Sequence, residues 1–176
     1  MRFRRQTIFY LIVLILSCIA ILFYQTHIHR QIRIEGDSMF PCIKDGDRIY
    51  INTLKHHFKP IERNSVIVFE IDEKIYCKRV IGLPGETLSI KDCNFYINDT
   101  LIETVCDKNG YLDVMKLMVD NGRTDPMDIE PLHILSSENG GENHYFVIGD
   151  YIISSIDSRH FGTIPESCII GTSTNY

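Results

Sequence analysis

The sequence predicts a mainly β protein: an antiparallel-sheet domain with an inserted loop-rich β subdomain, preceded by one apolar helix. Three observations support this prediction. An uncharged apolar stretch fills most of the first 25 residues, short β-branched segments separated by turn signals follow from residue 32, and a helical period is nearly absent after the N-terminus. With 176 residues and 44% hydrophobic content, the chain can bury a sizeable core.

The N-terminus combines an arginine cluster with an apolar run over residues 7–24. About 18 apolar residues is near the lower limit for a membrane-spanning helix. A cleaved signal peptide would end at a small-x-small site, which the residues around Ala20 do not provide, and a lipoprotein anchor at Cys18 would need a small residue where Leu16 stands. The pattern favours an uncleaved anchor over residues 1–25, with its basic end in the cytoplasm and the following domain outside it.

The strand pattern divides the rest of the chain into two units. Residues 26–81 and 143–176 are predicted to form the main β domain, and residues 82–142 an inserted subdomain. From 102 to 142 the chain is rich in Asp, Asn, Gly and Met, which predicts loops. The predicted strands are 32–34, 48–52, 65–70, 75–81, 144–148 and 168–171, with a hairpin formed by 87–90 and 94–97.

Composition argues against several kinds of site. The net charge is −5 and there is no basic run with interleaved aromatics, so nucleic-acid binding is not expected. The six cysteines form no CxxC pair, and neither a metal nor a cofactor is predicted. They are interpreted as small buried hydrophobes, with a Cys93–Cys106 disulfide as an alternative. His27 and His29 are interpreted as contacts to lipid headgroups.

A candidate nucleophile lies in the segment 35–41, Glu-Gly-Asp-Ser-Met-Phe-Pro. Gly36 permits a close backbone approach just before Ser38, and Pro41 restricts the residue that precedes it. A serine nucleophile needs a base, and none of the histidines has an evident partner in the sequence.

Lys78 is a candidate base because it interrupts the apolar segment 75–81. Adjacent strand residues point to opposite faces, so if Arg79 faces solvent, Lys78 points inward. Burial lowers the pKa of an amine, and a neutral amine is a competent base. Holding the amine neutral near pH 8 costs about 3.5 kcal/mol, which an apolar environment can supply. A strand lysine that extends to the surface is the alternative.

Three segments, in order, resemble the sequence boxes of bacterial type I signal peptidases, the Ser/Lys-dyad leader peptidase family. They are residues 36–41, 78–86 and 149–162, and the resemblance covers about residues 34–171 apart from the insertion. It implies a membrane-anchored serine endopeptidase that removes N-terminal signal peptides from exported preproteins. Its partners would be those preproteins and the lipid bilayer, and its catalytic domain would be extracytoplasmic.

The resemblance also implies residue roles. Ser38 would attack the scissile carbonyl to form an acyl-enzyme, and Lys78 would act as general base. Ser155 would hydrogen-bond the lysine amine. An ion pair between Asp157 and Arg159 would hold the turn that carries Ser155.

Oxyanion stabilisation is assigned to the Ser38 N–H and to the position of Gly36, where some relatives have a serine whose side chain is missing here. The preferred substrates would have small residues at −1 and −3 and bind in an extended conformation at a sheet edge. Shallow apolar pockets for them are expected around Ile34, Met39, Pro41 and Val68.

Departures from the family pattern leave other functions open. Cys42 replaces a frequent Thr, Asn64-Ser65 a frequent Gly-Asp, and Tyr151 a usual Asn. The main alternative is a non-proteolytic or narrowly dedicated pilus or surface-protein assembly factor on the same fold. A self-cleaving Ser/Lys repressor-type protease and a thiol enzyme using Cys42 with His56 or His57 are further alternatives.

Overall fold

A computed structural model describes residues 2–24, 29–91, 94–102, 129–139 and 141–175 of the chain. Helix α1 (Arg2–Phe23) precedes a mainly antiparallel β structure, which confirms the predicted fold class. The strands are β1 (His29–Arg33), β2 (Arg48–Asn52), β3 (Val66–Ile71), β4 (Lys74–Gly82), β5 (Thr87–Lys91), β6 (Asn94–Ile97), β7 (Thr100–Leu101), β8 (Ile129–His133), β9 (His144–Ile148), β10 (Ile164–Pro165) and β11 (Ile169–Ser173). Short helical turns are α2 (Lys55–Phe58), α3 (Ser158–Phe161) and the 3-10 turns Ser137–Asn139, Ile152–Ser154 and Glu166–Cys168.

The larger sheet has the strand order β1-β2-β11-β3-β4-β9-β10, and every neighbouring pair is antiparallel. β3 and β4 form a hairpin whose turn residues, Asp72 and Glu73, both have positive φ angles of 50° and 61°. Such a turn matches the right-handed twist of the strands that it connects. β4 is an inner strand that pairs with both β3 and β9, so side chains on either of its faces can be covered.

The smaller sheet has the order β7-β6-β5-β8. The predicted hairpin of β5 and β6 is formed, with Leu88 opposite Ile97. β8 lies in the stretch whose composition predicts loops. Its sequence contains Pro131, which argues against an inner strand, but a proline is tolerated here because β8 is at the edge of the sheet. Residues 103–128, Cys93 and therefore the alternative disulfide lie outside the described residues.

Hydrophobic side chains pack in three clusters. One cluster joins the two sheets, because Ile81 and Phe146 of the larger sheet pack with Leu88 and Phe95 of the smaller one. A second cluster includes Phe69, Val147 and Ile164 in the larger sheet, and a third lies beneath the segment 34–43.

Helix α1 is exposed along its described length. Its segment Arg4–Phe23 has a mean hydropathy of 2.5, and none of it is buried. Its length and composition fit a helix that crosses a membrane.

Candidate active site

Ser38 lies in a turn between β1 and β2 that is anchored on both sides. We call residues 36–43 the nucleophile turn. Gly36 before it adopts a φ of +87°, and the Gly36 N–H donates to Asp45 Oδ1 at 2.8 Å. After it, Met39 is fully buried in the third cluster, and the Ile43 N–H donates to the Met39 carbonyl at 2.9 Å. A buried side chain of this size contributes roughly 1.5–3 kcal/mol of hydrophobic stabilisation, so Met39 fixes the turn to the core.

Lys78 reaches the Ser38 hydroxyl from the middle of β4. Its Nζ lies 2.6 Å from Ser38 Oγ, and the lysine is 3% exposed. Burial is the main cause that lowers the pKa of the Lys78 amine below 10.5, and the nearby carboxylate of Asp157 acts in the opposite direction. An amine that loses its proton readily, at hydrogen-bond distance from a hydroxyl, can accept the hydroxyl proton.

Arg79, the neighbour of Lys78 on β4, is buried as well. Its Nε and Nη2 donate to the two carboxylate oxygens of Asp150 at 2.7 and 2.6 Å, and its Nη1 donates to the Asn64 carbonyl at 2.8 Å. Lys78 and Arg79 occupy successive positions of an inner strand, both of whose faces are covered. The condition under which Lys78 was expected to point inward, an Arg79 that faces solvent, is therefore not met, although Lys78 is buried. The burial of Arg79 is tolerable because it has a charged partner.

Asp157 and Arg159 form the ion pair that the family resemblance implies. Arg159 Nε and Nη2 donate to the two Asp157 oxygens at 2.7 and 2.8 Å. Nη2 also donates to the carbonyls of Ile152 and Ser155, and Asp157 Oδ2 accepts the Gly149 N–H at 3.0 Å. The pair therefore connects the turn that carries Ser155 to the segment that follows β9.

The Ser155 hydroxyl is buried near the nucleophile turn but does not form the expected hydrogen bond with Lys78. Within the described part of the chain, Ser155 Oγ has no hydrogen-bond partner. The hydroxyl instead packs over Gly149, where an added Cβ would lie 2.2 Å from Ser155 Oγ and 2.4 Å from the Ser38 carbonyl oxygen. Gly149 thus lets Ser155 and Ser38 approach the same point of the backbone.

The Ser38 N–H and the Gly36 N–H differ in availability. Among the described residues, the Ser38 N–H donates to no protein acceptor and is available to a ligand. The Gly36 N–H is occupied by Asp45, so the assignment of Gly36 to oxyanion stabilisation is not supported by this geometry.

A groove of about 470 Å³ opens in front of Ser38 and Lys78. Ile34 and Val68, two of the residues around which apolar pockets are expected, line it. Met39 and Pro41 do not line the groove. The Met39 side chain is directed into the core instead. The period-2 alternation of strands does not extend into a turn, and so the direction of Met39 was not predictable from pattern. The remaining lining residues are Ile32, Arg33, Glu35, Ile75, Tyr76, Cys77, Ser154 and Ile156.

The structure does not assemble a thiol or metal site from the described residues. Cys42 packs against the third cluster, whereas His57 lines a second cavity of about 560 Å³. Cys77 borders the groove, but burial raises the pKa of its thiol to about 12, which disfavours the thiolate. Within the described ranges, no group of three or more His, Cys, Asp or Glu residues could hold a metal ion.

Two features of the site had no prediction. Asp150 lies in the segment 149–162 that resembles the third box, but its pairing with Arg79, 71 residues away in sequence, was not expected. The carboxylate of Asp45, which fixes the Gly36 peptide, belongs to an ordinary Asp-Gly turn and carried no distinct signal.

Comparison with known proteins identifies the family. The family model described as signal peptidase, peptidase S26, matches residues 5–176. "Signal peptidase I V" of Bacillus subtilis (strain 168) is 36% identical over 140 residues, which cover 79% of this chain and 80% of that protein.

Two further proteins are similar to this chain. "Inactive signal peptidase IA" of Staphylococcus aureus (strain Mu50 / ATCC 700699) is 29% identical over 167 residues, covering 95% of this chain and 89% of that protein. A crystal structure of a signal peptidase I from Enterococcus faecalis V583 aligns with a TM-score of 0.49 and 29% identity, covering 65% of this chain and 97% of that one. The match of the family model over nearly the whole length shows that this chain belongs to the signal peptidase family, peptidase S26.

Proposed function

We propose that this chain is a membrane-anchored serine endopeptidase that removes signal peptides from exported preproteins, with Ser38 as nucleophile and Lys78 as general base. The observation that carries the proposal is the buried Lys78 amine at 2.6 Å from the Ser38 hydroxyl. A chain that had become only an assembly factor would have no need to bury a lysine against a serine, since desolvating an amine costs free energy.

In the proposed acylation step, Lys78 Nζ accepts the proton of Ser38 Oγ as that oxygen attacks the scissile carbonyl. The resulting oxyanion accepts a hydrogen bond from the Ser38 N–H, and such a donor typically contributes about 10²–10³ in rate. The Lys78 ammonium then gives its proton to the leaving amine, and the signal peptide remains as an ester on Ser38.

In the proposed deacylation step, neutral Lys78 takes a proton from a water molecule, which attacks the ester carbonyl. The tetrahedral intermediate collapses, Ser38 recovers its proton from Lys78, and the signal peptide leaves with a new carboxylate. Asp157 and Arg159 support this chemistry by holding the turn of Ser155, whose hydroxyl lies beside the nucleophile turn.

The groove suggests how a precursor would bind. β1 is an edge strand of the larger sheet, and residues from its end line the groove, so an extended segment can add to that edge. Ile34 and Val68 line the groove with apolar side chains, and the pockets for small side chains at −1 and −3 are proposed to lie beside them. Ile75 and Ile156, which are 62% and 60% exposed, offer apolar contacts at the mouth of the groove.

Membrane anchoring is proposed from α1. The helix is apolar and exposed, and its arginines lie in its first turns, which favours a cytoplasmic N-terminus and a catalytic domain on the other side of the membrane. This arrangement would bring the groove to the side where exported precursors emerge.

The test is cleavage of an exported precursor by the full chain in detergent, with the new N-terminus mapped by sequencing. Cleavage by the wild type, and its loss in Ser38→Ala and Lys78→Met, is expected. Ser167→Ala, which removes an exposed serine hydroxyl elsewhere, should cleave normally and serves as the matched control. Full biological function of Ser38→Ala would reject the proposal and favour the non-proteolytic assembly factor. This test is pertinent because one relative is named inactive.

A further inference from the structure

Tyr151 contacts the nucleophile turn at two points. Its backbone N–H donates to the Ser38 carbonyl at 3.0 Å. Its ring packs edge-on against the ring of Phe40, with centroids 6.2 Å apart and an interplanar angle of 74°. One residue therefore holds the backbone of Ser38 and a side chain two residues later.

The segment 149–151 provides a firm support for these contacts. Gly149 lies so close that an added Cβ would be 2.4 Å from the Ser38 carbonyl oxygen, and its N–H is bound by Asp157. Asp150 is fully buried in its ion pair with Arg79. Both neighbours of Tyr151 on its N-terminal side are thus fixed, and a ring carried by this segment has a defined position.

Phe40 is less buried than the residue before it in the turn. Met39 is fully buried and holds the turn from below, whereas Phe40 is 37% exposed. The ring of Tyr151 contacts the turn through a side chain, whereas its N–H and Gly149 approach the Ser38 carbonyl through the backbone. A substitution at 151 can therefore remove the ring contact and leave the backbone contacts in place.

We propose that Tyr151 is a positioning residue, whose ring holds the Ser38 turn closed by packing against Phe40. This role explains why an aromatic residue stands at a position where the resemblance leads one to expect Asn. It deepens the proposed function, on which its catalytic consequence rests. An edge-on aromatic pair should favour the closed turn by about 2- to 12-fold.

Hydrogen exchange of the full chain tests the structural part without requiring activity. The amides of Phe40 and Ile43 are bonded within the turn, to Asp37 and Met39, and report its opening. Tyr151→Ala should speed their exchange by about 2- to 12-fold, whereas Tyr151→Phe, which keeps the ring, should leave it unchanged. The Ile134 amide, bonded to Glu86 in the other sheet, is the internal control and should not change.

A double-mutant cycle makes the test specific. Phe40→Ala should speed exchange as much as Tyr151→Ala does. The double variant should exchange no faster than either single variant, because each substitution removes the same ring contact. Unchanged exchange in Tyr151→Ala, equal effects of Tyr151→Phe and Tyr151→Ala, or additive effects in the double variant would each overturn the proposal.

Kinetics test the catalytic part. Tyr151→Ala should lower kcat for precursor cleavage by a similar factor with KM unchanged, and Tyr151→Phe should restore it; loss through KM alone would contradict a positioning role. If the wild type itself cleaves no precursor while the exchange result holds, the proposed protease function fails and the structural role of Tyr151 stands.

Discussion

The Arg79 guanidinium and the Asp150 carboxylate meet through two hydrogen bonds, with the side chains only 6% and 0% exposed. The pair links β4, one residue after Lys78, to the segment that supports Ser38. Two charges that are removed from water this completely depend on one another, since either one alone would be an uncompensated buried charge.

Removing the acid should therefore be strongly destabilising. Asp150→Ala is expected to lower the free energy of unfolding by about 3–5 kcal/mol, because it leaves the Arg79 charge buried. Denaturant unfolding of the chain measures the change. Glu62→Ala is the control: Glu62 pairs with Lys59 at the surface, with side chains 69% and 60% exposed, and its loss should cost at most about 1 kcal/mol. Equal effects of the two variants would show that the Arg79–Asp150 pair adds nothing.

The pH dependence of cleavage should report the Lys78 amine. Burial lowers its pKa, and the base must be neutral, so kcat/KM should rise with pH through this lowered value and level off below pH 10.5. A midpoint at 10.5 or above in a pH profile of kcat/KM would contradict a buried base.

The same lowered pKa has a consequence for stability. Between the folded pKa of Lys78 and its unfolded value near 10.5, the unfolded chain holds a proton that the folded chain does not. The unfolded state then binds more protons, and the free energy of unfolding should rise with pH across this window. Unfolding of Lys78→Met at the same pH values should lack this rise; an identical slope in both proteins would exclude Lys78 as its source.

Gly149→Ala should impair both stability and cleavage. The added methyl would meet the Ser38 carbonyl oxygen at 2.4 Å and Ser155 Oγ at 2.2 Å, so the nucleophile turn must move. A cost of about 1–3 kcal/mol in unfolding free energy is expected, together with a lower kcat. Gly141→Ala is the matched control, because nothing lies within 4 Å of the place that its added methyl would take, and it should change stability by less than about 0.5 kcal/mol.

A combined variant separates the contacts of an added methyl with Ser155 from its contact with Ser38. Gly149→Ala with Ser155→Gly removes the contacts with the Ser155 hydroxyl and with the Ser155 Cβ, which is 2.7 Å away, but keeps the one with the Ser38 backbone. It should remain impaired; full recovery would show that the backbone of Ser38 is not constrained from this side.

Asp45 should matter for the orientation of the nucleophile. Asp45→Ala frees the Gly36 N–H, and a lost hydrogen bond of this kind costs about 0.5–1.5 kcal/mol, so kcat should fall by about 2- to 12-fold. Asp45→Asn keeps an acceptor oxygen and should retain most of the activity. Asp47→Ala removes the acid that accepts the Lys44 N–H in the same turn and controls for general loosening. A fall in kcat in Asp47→Ala equal to that in Asp45→Ala would reject the specific role of Asp45.

Much of the fold followed from local patterns. The β-branched run of β3 and the alternation around the β5–β6 hairpin are properties of neighbouring residues. The predicted strand ends agree with the structure within two residues, except that β1 begins three residues before its predicted start. β8 was missed because the composition of residues 102–142 predicts loops. Its Pro131 is compatible with a strand because β8 lies at the edge of the sheet, a position that depends on strands elsewhere in the chain.

The site was predictable only in part for a similar reason. The proximity of Ser38 and Lys78 was expected from the ordered boxes, and the structure brings the two side chains together. The burial of Arg79 depends on Asp150, far away in sequence, and the direction of the Met39 side chain depends on how the turn folds over the core. Long-range partners and turn geometry leave little trace in the periodicity of a single sequence.

The cluster that joins the two sheets limits how the protein can be shortened. Ile81 and Phe146 pack against Leu88 and Phe95, so a variant that lacks the smaller sheet would expose an apolar, aggregation-prone surface to solvent. Shortened natural or engineered forms would have to keep β5 and β6. Differences in chain length are expected in the part of the insertion that follows β6. Although β5 and β6 belong to a segment that the sequence pattern marks as an insertion, their side chains form part of the hydrophobic core.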